Sequence, residues 1–333
     1  MTQHQSHVLR NPERPVHVDI IILDWNRPDS TIAAIRSALE QSSVQRTVWV
    51  VDQGSTRANR AKLAAFCNGR PDVHVHWLGR NVGVAEGRNI ASRLGSAPYI
   101  IGLDNDALFS DSECVARAVA RLEGAPQLGG LAFRIVDAGT GSEEPYWDYP
   151  AAHLHTQQPW FEVTRFLGGG HALRRAAFER AGGYDAELFF GGEERDLAWR
   201  ILNLGYRLRL YRDLSVIHAS TPNSKIRWSE DRYYFLVRNS LYINHKFGAG
   251  ATGFLRGAVS FGLRGLRNGL CKATLRGIGE GLALSLGFNL SRQDHSRYEL
   301  SPELQRYIAD TDQKTGETSL QKLRRQLSVL PKV

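Results

Sequence analysis

Apolar residues in the first hundred positions come in short runs, and most runs stop at an acid or a glycine. Residues 16–23, 48–51, 73–77 and 99–103 are rich in Val and Ile, the pattern of strands buried inside a parallel sheet. Between them the spacing becomes helical. Ile32, Ile35 and Leu39 share one face of a helix over 31–41, with Asp29 or Ser30 available as its cap. Residues 58–67 read as a second helix and 84–94 as a third, the latter reached through a Gly/Asn-rich turn at 79–87. Strands alternating with helices predict βαβ units.

Beyond residue 106 the pattern loosens. A helix is expected over 114–122, a strand over 131–136, a strand pair over 206–218 and a helix over 231–247. Residues 139–158 mix turn formers with Tyr146, Trp147 and Tyr149, and Trp160 follows; these rings either pack in a long loop or stack on a sugar face. Residues 1–15, punctuated by Pro12 and Pro15, read as a disordered leader. Residues 301–333 read as a charged terminal helix with a role in a homo-oligomer.

Composition narrows the classes. The chain has 333 residues, 42% hydrophobic and 23% charged, enough for one extended domain or two small ones. Cys67, Cys114 and Cys271 are too scattered for a disulfide framework or a zinc site, which fits a reducing cytoplasm. No signal-peptide core or spanning segment is evident. A net charge of +8 suits a nucleotide, a nucleic acid or an anionic membrane. No helix-turn-helix, RNA-recognition or zinc pattern occurs, so nucleic acid is not the expected partner. Within 254–279 lie Arg256, Arg264, Arg267, Lys272 and Arg276 and no acid up to Gly279. That segment reads either as helices lying peripherally on the inner membrane face or as packed helices with a solvated basic side.

Candidate chemistry gathers at strand ends. The strand 99–103 runs directly into Asp104-Asn105-Asp106. Two acids one residue apart repel each other, and a divalent cation relieves the repulsion. Asp24 and Asp52 end two other strands, where ligands bind in open α/β sheets. Gly168-Gly169-Gly170-His171 would let backbone approach a ligand or a neighbouring strand. Glu193, Glu194 and Asp196 occupy the first turn of another helix, either as a plain acidic cap or as a catalytic group.

Taken in order, these motifs resemble glycosyltransferase family 2, and most nearly its bacterial rhamnosyltransferase-like branch. The resemblance spans residues 16 to about 220. It rests on Ile21-Ile22-Leu23-Asp24-Trp25-Asn26-Arg27-Pro28, on Asp52-Gln53-Gly54-Ser55, on Arg80-Asn81-Val82-Gly83 running to Arg88-Asn89, and on Asp104-Asn105-Asp106. It implies a GT-A fold: a mixed, mostly parallel sheet flanked by helices, with a nucleotide-binding half (16–106), an acceptor half (107–222) and a helical C-terminal extension (223–333). It implies an inverting, metal-dependent transfer from a nucleotide-sugar donor, dTDP-rhamnose or a UDP-sugar, to a glycan, lipid-linked or small-molecule acceptor, as in polysaccharide biosynthesis. By the resemblance, Asn26, Asp52, Arg80, Arg88, Asn89 and Asp104 line the nucleotide. Asp104, Asp106 and His218 hold Mn2+ or Mg2+. Trp25, Gly169 and Gly170 line the sugar and diphosphate. Glu194 is the general base, with Glu193 and Asp196 as alternatives because the family more often carries Asp at position 194. A GT-A scaffold without activity and a basic nucleic-acid-binding protein are the competing readings.

Overall fold

The computed structural model describes residues 15–143, 158–218, 229–291 and 295–312. Four strands open the chain: β1 (His17–Asp24), β2 (Gln45–Gln53), β3 (Val73–Leu78) and β4 (Tyr99–Leu103). Helices α1 (Pro28–Leu39), α2 (Arg57–Cys67) and α3 (Gly83–Leu94) connect them. In space they lie in the order β3-β2-β1-β4, every pair parallel, as the alternating pattern required. The sheet continues antiparallel into β8 (Gly170–Arg174), then β6 (Leu128–Asp137), β9 (Arg207–His218) and β5 (Ala107–Phe109), while β7 (Trp160–Glu162) pairs with β9. All antiparallel pairs lie beyond β4, so the sheet is parallel in the first half and mixed in the second.

Both faces of the sheet are covered. Ile20 and Ile22 point into a core shared with α1, α2 and α4 (Cys114–Gly124). Ile21, between them, points the other way, toward α3, α5 (Arg175–Arg180), α6 (Glu193–Asn203) and α10 (Pro302–Asp312). This is the period-2 alternation of a strand buried on both sides. A further core of aromatic and aliphatic residues joins α7 (Glu230–Asn244), α8 (Gly250–Arg267) and α9 (Cys271–Leu290) into a helical C-terminal region.

Two local expectations are corrected. The strand pair expected over 206–218 is one strand. Arg212 and Asp213 read as a turn, but they fall where the pairing of β9 with β6 shifts register, an irregularity of the bulge type that absorbs exposed polar residues without reversing the chain. Neither Asp29 nor Ser30 caps α1. The helix starts at Pro28, whose missing N–H costs nothing there. No side chain caps the helix; Asp24 braces the turn before it, accepting from Thr31 Oγ1 at 2.6 Å and from the Arg27 amide at 3.3 Å. Residues 1–14, Tyr146, Trp147, Tyr149 and the chain after 312 lie outside the described residues. Trp160 is a packing residue, with the Arg209 guanidinium 3.8 Å over its ring.

Candidate active site

Parallel registration brings the strand-end acids together. Asp24 sits directly opposite Asp52 across β1 and β2, and β4, ending just before Asp104, flanks β1 on its other side. Asp24 is buried and spent on the loop: besides Thr31 and Arg27 it accepts from Ser55 Oγ at 3.3 Å. Burial, foremost, raises its pKa. Asp52 is fully buried, with Arg60 Nε 3.3 Å from Oδ1 and the Ser55 amide donating to the same oxygen. Its Oδ2 has no hydrogen-bond partner, an unused acceptor at the sheet edge.

The loop after β1 is braced by Asn26, whose left-handed backbone (φ 58°) is one that Asn tolerates. Its Oδ1 accepts from the Thr56 amide at 2.8 Å and Asn59 Nδ2 at 3.1 Å, tying this loop to the start of α2. Trp25 beside it is 55% exposed, so it does not pack beneath the loop. Arg80 is exposed, and its backbone presses on Gly54 so closely that a Cβ there would lie 2.9 Å from Arg80 Cα.

Arg88, on α3, is the centre of the cleft. Its Nη2 donates to Asp104 Oδ1 at 2.9 Å and to the Gly168 carbonyl at 3.2 Å, and its Nη1 donates to Glu194 Oε1 at 2.8 Å. Glu193 Oε1 is 4.0 Å away. One buried guanidinium therefore joins the end of β4 to the start of α6. Burial works against its charge, but Tyr184 and the carboxylates around it more than offset that and raise its pKa. Tyr184 packs under the guanidinium, 5.7 Å from ring centre to Cζ. Tyr184 OH donates to His171 Nε2 at 3.0 Å, and His171 Nδ1 donates to the Leu167 carbonyl at 3.0 Å, which fixes the tautomer. Burial pushes the His171 pKa down to about 3, so it is a neutral packing group. Both ends of the Asn89 amide are engaged by the Tyr184 backbone, at 2.8 Å each, so Asn89 clamps the support of its neighbour Arg88.

The acids at the start of α6 diverge. Glu194 stands at the cleft edge on Arg88. Glu193 is buried, with Oε2 lacking a partner; burial first and Glu194 second push its pKa up to about 8. Asp196, weighed as an alternative base, sits apart from Arg88. It is fully buried between Arg200 Nε (3.0 Å) and Lys246 Nζ (2.5 Å).

Asp106 and His218 meet because β5 pairs with β9, setting Ala107 opposite His218. His218 Nε2 is 3.2 Å from Asp106 Oδ1, and Arg27, a largely exposed side chain, donates to Oδ2 at 3.1 Å. Burial opposes ionisation of Asp106, but His218 and Arg27 outweigh it and hold its pKa low. Asp104 shows the opposite balance. Burial, Asp106 and Glu194 raise its pKa against Arg88, an effect moderated by solvent because its side chain is 42% exposed. No group of three His, Cys, Asp or Glu converges on one point among the described residues. A carboxylate and an imidazole at this spacing still fit a Mg2+ or Mn2+ of the kind that keeps one or two protein ligands and completes its shell with water and substrate phosphate.

The glycines divide by cause. A Cβ on Gly169 would meet Ile135, and one on Gly170 would meet Val216 and Phe133, so these two serve packing across the sheet. A Cβ on Gly168 would lie 2.6 Å from Arg88 Nη2 and 2.7 Å from Glu194 Oε1, so Gly168 keeps the centre of the site open. Sequence reasoning singled out the glycine run at 168–170 and the Gly-Gly-Tyr-Asp run at 182–185 but gave Gly168 and Tyr184 no role around Arg88, and it passed over Lys246.

Residues 19–182 match the family model described as "Glycosyl transferase family 2". The match covers Asp24 to His171 but stops before α6 and His218. An uncharacterized glycosyltransferase of Rickettsia bellii is 35% identical over 97 residues, 29% of this chain and 14% of that protein's length. The dTDP-rhamnosyl transferase RfbF of Shigella flexneri is 25% identical over 243 residues, 68% of this chain and 79% of that protein. The mannosyltransferase PcManGT from Pyrobaculum calidifontis, solved in complex with GDP-Man and Mn2+, superposes with a TM-score of 0.56 at 17% identity, over 95% of this chain and 86% of that one. S. aureus TarS 1-349 in complex with UDP superposes with a TM-score of 0.52 at 14% identity, over 82% and 91%. Sheet order, strand-end acids and this match together make residues 19–182 a glycosyltransferase family 2 domain with the GT-A fold.

Proposed function

We propose that the chain catalyses inverting transfer of a sugar from a nucleoside-diphosphate donor, dTDP-rhamnose or a UDP-sugar, to an acceptor hydroxyl, with a divalent cation held by Asp106 and His218 beside Asp104. One observation carries the reading: Arg88 ties Asp104 at the nucleotide edge to Glu194 at the opposite wall of the same cleft. The Shigella flexneri relative's name supports the rhamnosyl donor, and the ligands of the two neighbours support nucleotide chemistry with Mn2+.

In this reading Asp52 Oδ2 accepts from the base or ribose. Arg88 holds one oxygen of Glu194, leaving the other to face the acceptor. Glu194 takes the proton of the acceptor hydroxyl as that oxygen bonds to the anomeric carbon. The bond from that carbon to the phosphate oxygen breaks, its electron pair leaving with the nucleoside diphosphate, and the configuration inverts. A bound cation would supply neutralisation of the diphosphate charge. Arg27, now on Asp106, is long and exposed enough to follow the diphosphate instead.

A thermal-shift titration with UDP, dTDP, GDP and ATP, each with and without Mn2+, tests the reading. A Mn2+-dependent shift with one diphosphate, lost in Asp106→Ala, is the expected result. No shift with any nucleotide overturns it in favour of an inactive scaffold.

A further inference from the structure

The C-terminal hairpin α8–α9 divides its apolar residues between two sides. Its fully buried positions are small, with Ala273, Thr274, Gly277, Gly281 and Ser285 along α9 and Gly265 along α8, while Phe254, Phe261, Ile278 and Phe288 pack partly buried against the neighbouring cores. A Cβ on Gly277 would lie 2.9 Å from the Tyr234 carbonyl, and one on Gly281 would lie 3.1 Å from the Arg238 carbonyl, so α9 lies almost backbone to backbone on α7. Large aliphatic residues point outward. Leu255, Val259, Leu263 and Leu266 line the open side of α8, and Leu275, Leu282, Leu286 and Leu290 that of α9, the last 84% exposed. An ordinary surface helix does the reverse, burying its leucines. Small residues at the helix contact and leucines outside are how helices pack in a lipid environment.

Charge follows the same stripes. Arg256 and Arg267 on α8 and Lys272 on α9 are exposed beside the leucines. The one acid of the hairpin, Glu280, is paired with Arg276 at 2.9 Å. No helix among the described residues is long and apolar enough to cross a membrane. From this outward leucine surface with its basic margin, we propose that α8 and α9 dock on the face of an anionic lipid bilayer, leucines in the acyl boundary and basic groups among the headgroups. The alternative of packed helices with a merely solvated basic side does not account for eight exposed aliphatic side chains on two adjacent helices.

The surface is coupled to the catalytic cleft. Asn239 on α7 donates to the carbonyls of Leu188, Phe190 and Gly191, and Arg238 donates to that of Glu187. The helix carrying the hairpin thus holds the loop that leads into Glu193 and Glu194. Docking would set the cleft at a fixed height over the membrane, which suits an acceptor carried by a lipid.

The test is co-sedimentation of the full chain with vesicles of phosphatidylcholine alone or mixed with phosphatidylglycerol, in low and high salt. Binding should require the anionic lipid and weaken with salt. Leu275→Asp/Leu282→Asp/Leu286→Asp should abolish it. Each of Arg256→Gln, Arg267→Gln and Lys272→Gln should weaken it about fivefold. The nucleotide-induced thermal shift should persist in all of these variants, which separates failure here from failure of the donor reading. No vesicle binding by the full chain, or binding indifferent to the aspartates, overturns the proposal. So does a dimer seen by light scattering that the same aspartates dissolve while vesicles stay unbound, since the leucines would then face a second copy.

Discussion

Two buried charge clusters grow from one helix turn and come to opposite ends. Around Arg88, one guanidinium faces Asp104, Glu194 and Glu193. Around Asp196, two residues further on, Arg200 and Lys246 serve two acids, because Lys246 also reaches Asp185 at 2.5 Å. The second cluster is matched in charge. Although burial opposes it, the two cations hold the Asp196 carboxyl low and ionised. The first is short of positive charge, and Glu193 responds by holding its proton up to about pH 8. A balanced buried network holds a fold in place. An unbalanced one at a cleft can still accept a cation, a phosphate or a proton.

The largest effect that would break this comparison is on turnover. Glu194→Gln should cut transfer rates about 10²–10⁴-fold while the nucleotide-induced thermal shift stays. A variant with near-normal rates would remove Glu194 from the role of base. On the matched side, Lys246→Met leaves Asp196 short of a cation and should cost about 3 kcal/mol in denaturant unfolding. Lys246→Met/Asp196→Asn should regain part of that loss, because the uncompensated charge is gone. Next comes Arg88→Lys. One ammonium cannot span Asp104, Glu194 and the Gly168 carbonyl, so donor affinity should fall about ten- to a hundredfold, read by titration calorimetry. The smallest effect is on pH dependence. Glu193 has an ordinary value of 4.5 and about 8 in the fold, so folding favours its protonated form. Its contribution is full below about pH 4.5 and is lost as pH rises through about 8. Glu193→Gln should flatten stability across that window and be the more stable protein at pH 9, by about 1–2 kcal/mol. Equal pH profiles would mean that Glu193 is ionised throughout.

The half of the chain most legible in sequence was the half built from local, periodic units. Residues 17–103 give their strands, helices and strand-end acids directly, because parallel βαβ units force each strand to stop at the same edge. Legibility fell where pairing is non-local. Arg212 and Asp213 look like a turn in sequence, and only pairing with β6, β7 and β5 holds β9 extended through them. Among the site residues, Asp104, Arg88 and Glu194 were each named from motifs, but their convergence on one guanidinium was not, since the contacts cross 16 and 106 residues of chain.

What the sequence determined by itself was the βαβ order of residues 17–103 and the presence of acids at strand ends, because period, strand length and turn residues are local properties; the GT-A sheet was implied by the family resemblance. Tertiary structure alone decided what each acid does. Asp24 became a brace for the loop before α1, Asp196 a neutralised core anion and Glu193 a protonated neighbour, while Asp52, Asp104 and Glu194 kept oxygens free at the cleft or out of protein pairing. Identical carboxylates differ only through the cations, donors and solvent that surround them, and those arrive from distant parts of the chain.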